Sequence, residues 1–266
     1  MKKVGNGLVT VDVDGHRADV VLNRPEKRNA MNLDLLSDLY QAIQEVEAND
    51  DVRAIALLGE GPVFSAGMDL EMMRDRGDDD VDGGYDEEGP GLGDVIDAIA
   101  DCRVPTVAGI KRAAPAGAFE LTLPADFRIL SADAQYGVIE VTLGLFPSSG
   151  APTRLARLVG LAKAKELVLS GEFIDPAEAE RIGLVNEVCD AEEVDDRARA
   201  MADRLAENAP IAMERARKVL NSTLNVPLDE SLEFERALSI GLTDTHDYTE
   251  GFTARIEGRE PEFEGR

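Results

Sequence analysis

Arg53-Ala54-Ile55-Ala56-Leu57-Leu58-Gly59-Glu60-Gly61-Pro62-Val63-Phe64-Ser65-Ala66-Gly67-Met68-Asp69-Leu70 is the stretch on which the architecture turns. Arg53 to Leu58 reads as a short buried strand. The chain then passes through small residues towards a helix start. The same cycle returns downstream, with a strand at Thr106 to Ile110, a loop, a helix carrying Glu120, and then Phe127 to Leu130. Strand, glycine-rich loop and helix in repeated order predict an α/β fold.

Working outward, Leu8 to Asp14 and Arg17 to Leu22 flank Asp14-Gly15 and read as a hairpin. Leu36, Leu39, Tyr40 and Ile43 share one face of a helix from Leu33 to Val46, with Asn32 as its cap. Further helices are expected near Asp94 to Cys102 and Pro176 to Gly183, and Val185-Asn186-Glu187-Val188 closes the strand-containing part. Beyond about Ala191 the pattern is helical only, which divides the chain into a core, 1–190, and a helical region, 191–266. Arg74 to Gly93 is acidic and glycine-rich and reads as a long loop, either a lid or a solvated charge run.

With 266 residues, 44% of them hydrophobic, the chain has material for a sizeable core. Its 53 acidic against 28 basic residues give a net charge of −25, which argues against nucleic acid and anionic membranes as partners. Acid excess spread along the whole chain looks like the surface of a protein from a high-salt cytoplasm; an acidic mesophile protein is the alternative. No apolar run reaches membrane-spanning length, and Met1-Lys2-Lys3-Val4-Gly5-Asn6-Gly7 lacks the apolar core of a signal peptide, so a cytoplasmic protein is expected. Cys102 and Cys189 read as buried thiols. His16 and His246 stand far apart without metal-ligand spacing, so neither a metal site nor a histidine triad is expected.

The chemistry is expected at two carboxylates. Glu120 lies in Ala116-Gly117-Ala118-Phe119-Glu120-Leu121-Thr122-Leu123 and Glu140 in Tyr136-Gly137-Val138-Ile139-Glu140-Val141-Thr142-Leu143. Apolar flanks make a buried carboxylate costly unless it is paired or working. Two such groups in one cleft can divide acid and base roles; the alternative is two unrelated residues, one salt-bridged and one at a rim.

Five segments, in order and spacing, resemble the crotonase, or enoyl-CoA hydratase/isomerase, superfamily. They are Leu22-Asn23-Arg24-Pro25-Glu26-Lys27-Arg28-Asn29-Ala30-Met31, Phe64 to Leu70, the loop and helix through Glu120 to Asp126, Ser170 to Ala179, and Gly183 to Val188. The resemblance implies a spiral of repeated β-β-α units with a C-terminal helical region that assembles trimers or dimers of trimers. It further implies an acyl-CoA substrate, with no metal and no cofactor beyond the coenzyme A of that substrate. The amides of Met68 and Gly117 would hold an enolate-like oxygen, and Ala66, Met68, Asp69, Leu70 and Glu71 would lie along the CoA. Glu120 and Glu140 fall where hydratases of the family carry their catalytic pair, which implies water addition to a 2-enoyl-CoA. A double-bond isomerase and a non-catalytic acyl-CoA-binding oligomer are the alternatives.

Beside the resemblance, Arg24, Lys27 and Arg28 form either a basic patch for CoA phosphates or a solvated helix start. Where hydratases show a run of glycines, this chain has Ala114-Pro115-Ala116-Gly117-Ala118-Phe119. Where they show a Pro-Gly-rich loop, it has Phe146-Pro147-Ser148-Ser149-Gly150-Ala151-Pro152, so Ser148 is expected to supply the amide at the water site.

Overall fold

A computed structural model of the chain describes residues 1–76 and 89–266. In order the elements are β1 (Lys2–Val4), β2 (Val9–Asp14), β3 (Arg17–Leu22), α1 (Leu33–Glu47), β4 (Ala54–Gly59), α2 (Leu70–Arg76), α3 (Leu92–Asp101), β5 (Thr106–Ile110), β6 (Ala113–Pro115), α4 (Gly117–Thr122), β7 (Phe127–Ser131) and β8 (Gln135–Gly137). There follow α5 (Ala151–Leu158), α6 (Leu161–Ser170), α7 (Pro176–Arg181), β9 (Glu187–Cys189), α8 (Val194–Ala206), α9 (Pro210–Ser222), α10 (Leu228–Ser239) and α11 (His246–Glu257).

Among the described residues a main sheet runs β1-β2-β3-β4-β5-β7-β9, and β6 pairs with β8 in a small second sheet. β1, β2 and β3 are antiparallel neighbours, whereas β3 through β9 pair in parallel. Parallel neighbours need crossovers, and the helices between strands supply them. The two-residue hairpin falls at Gly15, whose φ of +58° suits the turn.

β3, β4 and β5 are buried along their whole length, as expected of parallel strands covered on both faces. Alternation divides β4 between the two covers. Ile55 and Leu57 face a core with Leu35, Leu36, Leu39 and Ile43 of α1 and Val95, Ile96 and Ile99 of α3. Ala54, Ala56 and Leu58 face Val194, Ala198 and Ala202 of α8. The helical part expected from 191 onward therefore begins with a helix that covers the sheet's second face.

Asn32 caps α1 as expected, its side chain accepting from Leu35 N–H at 3.1 Å. The stretch 74–93 is helical at both ends, because α2 runs to Arg76 and α3 starts at Leu92. Its middle, with the lid reading, lies outside the described residues. At their C-terminal ends β4 and β5 release the chain into 60–69 and 111–116, and open parallel sheets bind ligands outside the carboxyl ends of strands.

Candidate active site

From Phe64 to Asp69 the backbone amides are spoken for one after another. Phe64 N–H donates to Lys111 O, Ser65 to Ala113 O, Ala66 to Arg28 O, Gly67 to Ser65 Oγ and Asp69 to Met31 O. Met31 N–H in turn donates to Gly67 O at 2.8 Å, so Met31 and Met68 form a parallel bridge. Holding Gly67 O and Asp69 N–H on one side turns Met68 N–H to the other. Among the described residues it has no acceptor.

The second donor stands at the start of α4. Ala116, with φ +50° and ψ −126°, turns the chain from β6 into the helix, and its N–H donates to Gly137 O at 2.9 Å. The first amides of a helix lack internal acceptors, and Gly117 N–H is one of them. A Cβ on Gly117 would lie 3.1 Å from Met68 Cγ and 3.0 Å from Leu92 Cδ2, and one on Gly67 would lie 3.1 Å from Pro115 O. The two donor segments touch, and glycine allows the approach. Pro115, the departure before this turn, ends β6 opposite Gly137.

Both carboxylates are buried, Glu120 4% exposed and Glu140 5%. Glu120 Oε1 accepts from Ser149 N–H at 3.0 Å and Ala151 N–H at 3.1 Å. Burial pushes its pKa up to about 7, the two amides pull it down, and the nearby charge of Glu140 raises it further. Glu140 opens a 3₁₀ turn, Glu140–Leu143. Neither of its carboxylate oxygens has a partner among the described residues, and burial raises its pKa. The amides that reach Glu120 thus follow Ser148 rather than belonging to it. Ser148 is exposed, and its own N–H has no acceptor among the described residues.

The predicted CoA-side residues separate into two groups. Arg24 Nη1 donates to Asp69 Oδ2 at 2.7 Å and to Ala30 O at 2.8 Å. Asp69 Oδ1 accepts from the N–H groups of Glu71 and Met72 and so caps α2. The Arg24 guanidinium holds the Asp69 carboxyl below the usual carboxylate range. Lys27, Arg28, Leu70 and Glu71 are exposed, with Lys27 Nζ 3.4 Å from Glu71 Oε2, and Ala66 is half-buried. Sequence reasoning missed Asn29, which is fully buried and donates Nδ2 to the carbonyls of Glu60, Val63 and Phe64. Asn29 and Arg28 before it are both left-handed, at φ +53° and +54°, and the carbonyls that Asn29 binds are more than 30 residues away, so its role is legible only once the path of 60–64 is known.

His16 Nδ1 meets Asp51 O, and His246 Nδ1 lies 3.3 Å from Asp247. Among the described residues no cluster of metal-ligating side chains exists. Cys102 and Cys189 are buried free thiols.

A family model described as enoyl-CoA hydratase/isomerase matches residues 16–266. A protein of Rhizobium meliloti named probable enoyl-CoA hydratase is 37% identical over 259 residues, covering 96% of this chain and 97% of the relative. The short-chain-enoyl-CoA hydratase of Clostridium acetobutylicum is 33% identical over 256 residues, covering 96% of each. Among solved structures, an enoyl-CoA hydratase from Bacillus anthracis superposes with a TM-score of 0.88 at 30% identity, covering 97% of this chain and 100% of that one.

Proposed function

The chain belongs to the enoyl-CoA hydratase/isomerase family, the crotonase superfamily, and we propose that it adds water reversibly across the double bond of a 2-enoyl-CoA thioester to give a 3-hydroxyacyl-CoA. The observation that carries this reading is a buried carboxylate without partners, Glu140, coupled to a second, Glu120, that is held by two amides. Burial raises both carboxyls, Glu120 to about 7 against the pull of its two amides and Glu140 against the pull of its own backbone N–H. The charge of Glu140 acts on Glu120 and raises it further.

In this mechanism the thioester oxygen sits on the N–H groups of Met68 and Gly117. Glu120 takes a proton from water as the oxygen bonds to C3, electron density moves to the thioester oxygen, and Glu140 gives its proton to C2. One water is consumed, and the pair ends with its proton on Glu120; exchange with solvent resets it. Among the described residues the Ser148 N–H has no acceptor, and in this reading it holds the water. A preformed backbone donor of this kind contributes on the order of 3 kcal/mol in a transition state.

Ala66, Met68, Asp69, Leu70 and Glu71 line the CoA in this reading, with Asp69 shaping the start of α2. Lys27 and Arg28, the exposed cations, meet the phosphates, while Arg24 acts through Asp69. Coenzyme A enters with the substrate, and no metal or further cofactor is called for. Residues 1–190 carry binding and catalysis, and of 191–266 the part beyond α8, which covers the sheet, serves assembly as a trimer or dimer of trimers, supported by the exposed apolar Leu220, Leu224, Leu228, Ile240, Phe252 and Ile256. The cytoplasm is the proposed location; among the described residues no helix is long and apolar enough to cross a membrane.

The test is hydration of 2-enoyl-CoAs of graded chain length, followed as loss of the conjugated thioester absorbance. Turnover of at least one supports the reading. Conversion of 3-enoyl-CoA without any hydration would assign the isomerase reaction instead, and no turnover of either would leave a binding protein.

A further inference from the structure

We propose that Ser65 is a positioning residue of the oxyanion site: its hydroxyl locks the peptide before Gly67 so that, among the described residues, the N–H groups of Gly67 and Asp69 are engaged while that of Met68 between them has no acceptor. The inference rests on the reading of Met68 and Gly117 as the thioester donors.

Ser65 is fully buried, and its hydroxyl is used twice. It donates to Asn29 O at 2.7 Å and accepts Gly67 N–H at 3.2 Å. Gly67, at φ +94°, is the flexible joint of the segment. On its far side the Gly67–Met68 peptide is held through Gly67 O by Met31 N–H. On its near side the Ala66–Gly67 peptide is held through Gly67 N–H by Ser65 Oγ. Remove that second hold and the joint can rotate, and a second amide is set free beside the one that should receive charge.

Ser65 also registers the other donor. Its backbone N–H donates to Ala113 O at 3.1 Å, on the strand that leads into Ala116 and Gly117. One residue thus ties both donor segments together. Asn29 makes the anchor rigid: it is held at φ +53° while its side chain binds the carbonyls of Glu60, Val63 and Phe64. A hydroxyl needed only to satisfy burial would not have to fall on the one joint that aims a catalytic amide. Donors act through preorganisation, so a small misalignment is costly.

The experiment compares the parent with Ser65→Ala and with Ser65→Cys, which keeps the shape but accepts hydrogen bonds weakly. Turnover is measured on an enoyl-CoA the parent hydrates. The carbonyl stretch is read by infrared difference on bound butyryl-CoA carrying carbon-13 at the thioester carbonyl. Expected is a fall in kcat of roughly 10- to 100-fold with KM nearly unchanged, an unaltered pH profile, and a carbonyl stretch moved back towards its free value. Parent-like kcat and carbonyl stretch in a folded variant would overturn the proposal, as would failure of both variants to fold, which would mark a purely structural hydroxyl. A parent with no carbonyl shift at all would instead tell against Met68 and Gly117 as donors.

Discussion

Arg24 reaches across to Asp69, Nη1 to Oδ2 at 2.7 Å, and the pair is nearly closed to solvent, its side chains 14% and 11% exposed. A guanidinium so engaged is not free for a phosphate. Arg24→Gln is therefore expected to lower stability by about 3 kcal/mol, the lower end for a broken buried pair. It should leave the salt dependence of CoA binding unchanged. Lys27→Gln and Arg28→Gln should do the reverse, with weaker CoA binding and a flatter response to ionic strength. Denaturant unfolding and calorimetric titration at two salt concentrations separate the two outcomes.

The Glu120 carboxyl, at about 7 in the fold against 4.5 ordinarily, gives stability a pH dependence of known sign. Below about pH 4.5 folded and unfolded chains both hold the proton. Between there and about 7 only the folded chain does, so stability from this group is lost as pH rises. Glu120→Gln should remove that slope, and above pH 7 the variant should gain on the order of 3 kcal/mol relative to the parent. Thermal unfolding of both proteins across this range tests it, and parallel curves would contradict it. For the same reason kcat/KM of the parent should fall as pH drops below about 7, where the base takes up its proton.

Ala116 holds a backbone conformation, φ +50° and ψ −126°, that suits glycine. Ala116→Gly should relieve about 1 kcal/mol of strain. The melting temperature is expected to rise while turnover is retained, since the Ala116 N–H to Gly137 O bond needs no side chain. A lower melting temperature would mean that the methyl group packs more than it strains.

Much of the fold was legible because burial leaves a local imprint. The apolar runs at Arg17–Leu22 and Thr106–Ile110 became sheet strands, and Asn32 became a cap. Glu120 and Glu140 stood out because a carboxylate among apolar neighbours is expensive. What escaped was carried by backbone groups or by distant partners. The amides of Ser149 and Ala151 that bind Glu120 have no side-chain signature, and Arg24 meets Asp69 only through tertiary folding. α5 and α6 went unread because their faces mix buried Leu155 and Leu167 with exposed Leu158, Leu161 and Leu169, which blurs the helical period.

The division of labour between the two carboxylates is tested by replacing each with glutamine, which keeps shape but cannot exchange a proton. Glu120→Gln and Glu140→Gln are each expected to lower kcat for hydration by roughly 10²- to 10⁴-fold. Binding of saturated acyl-CoA should change little, because Met68 and Gly117 keep their amides, and the double variant should lose far less than the product of the single losses. The measurement is kcat for water addition to an enoyl-CoA in the two single variants. A large loss in both is the predicted result; near-parent turnover in both would contradict the assignment of Glu120 and Glu140 as the catalytic pair.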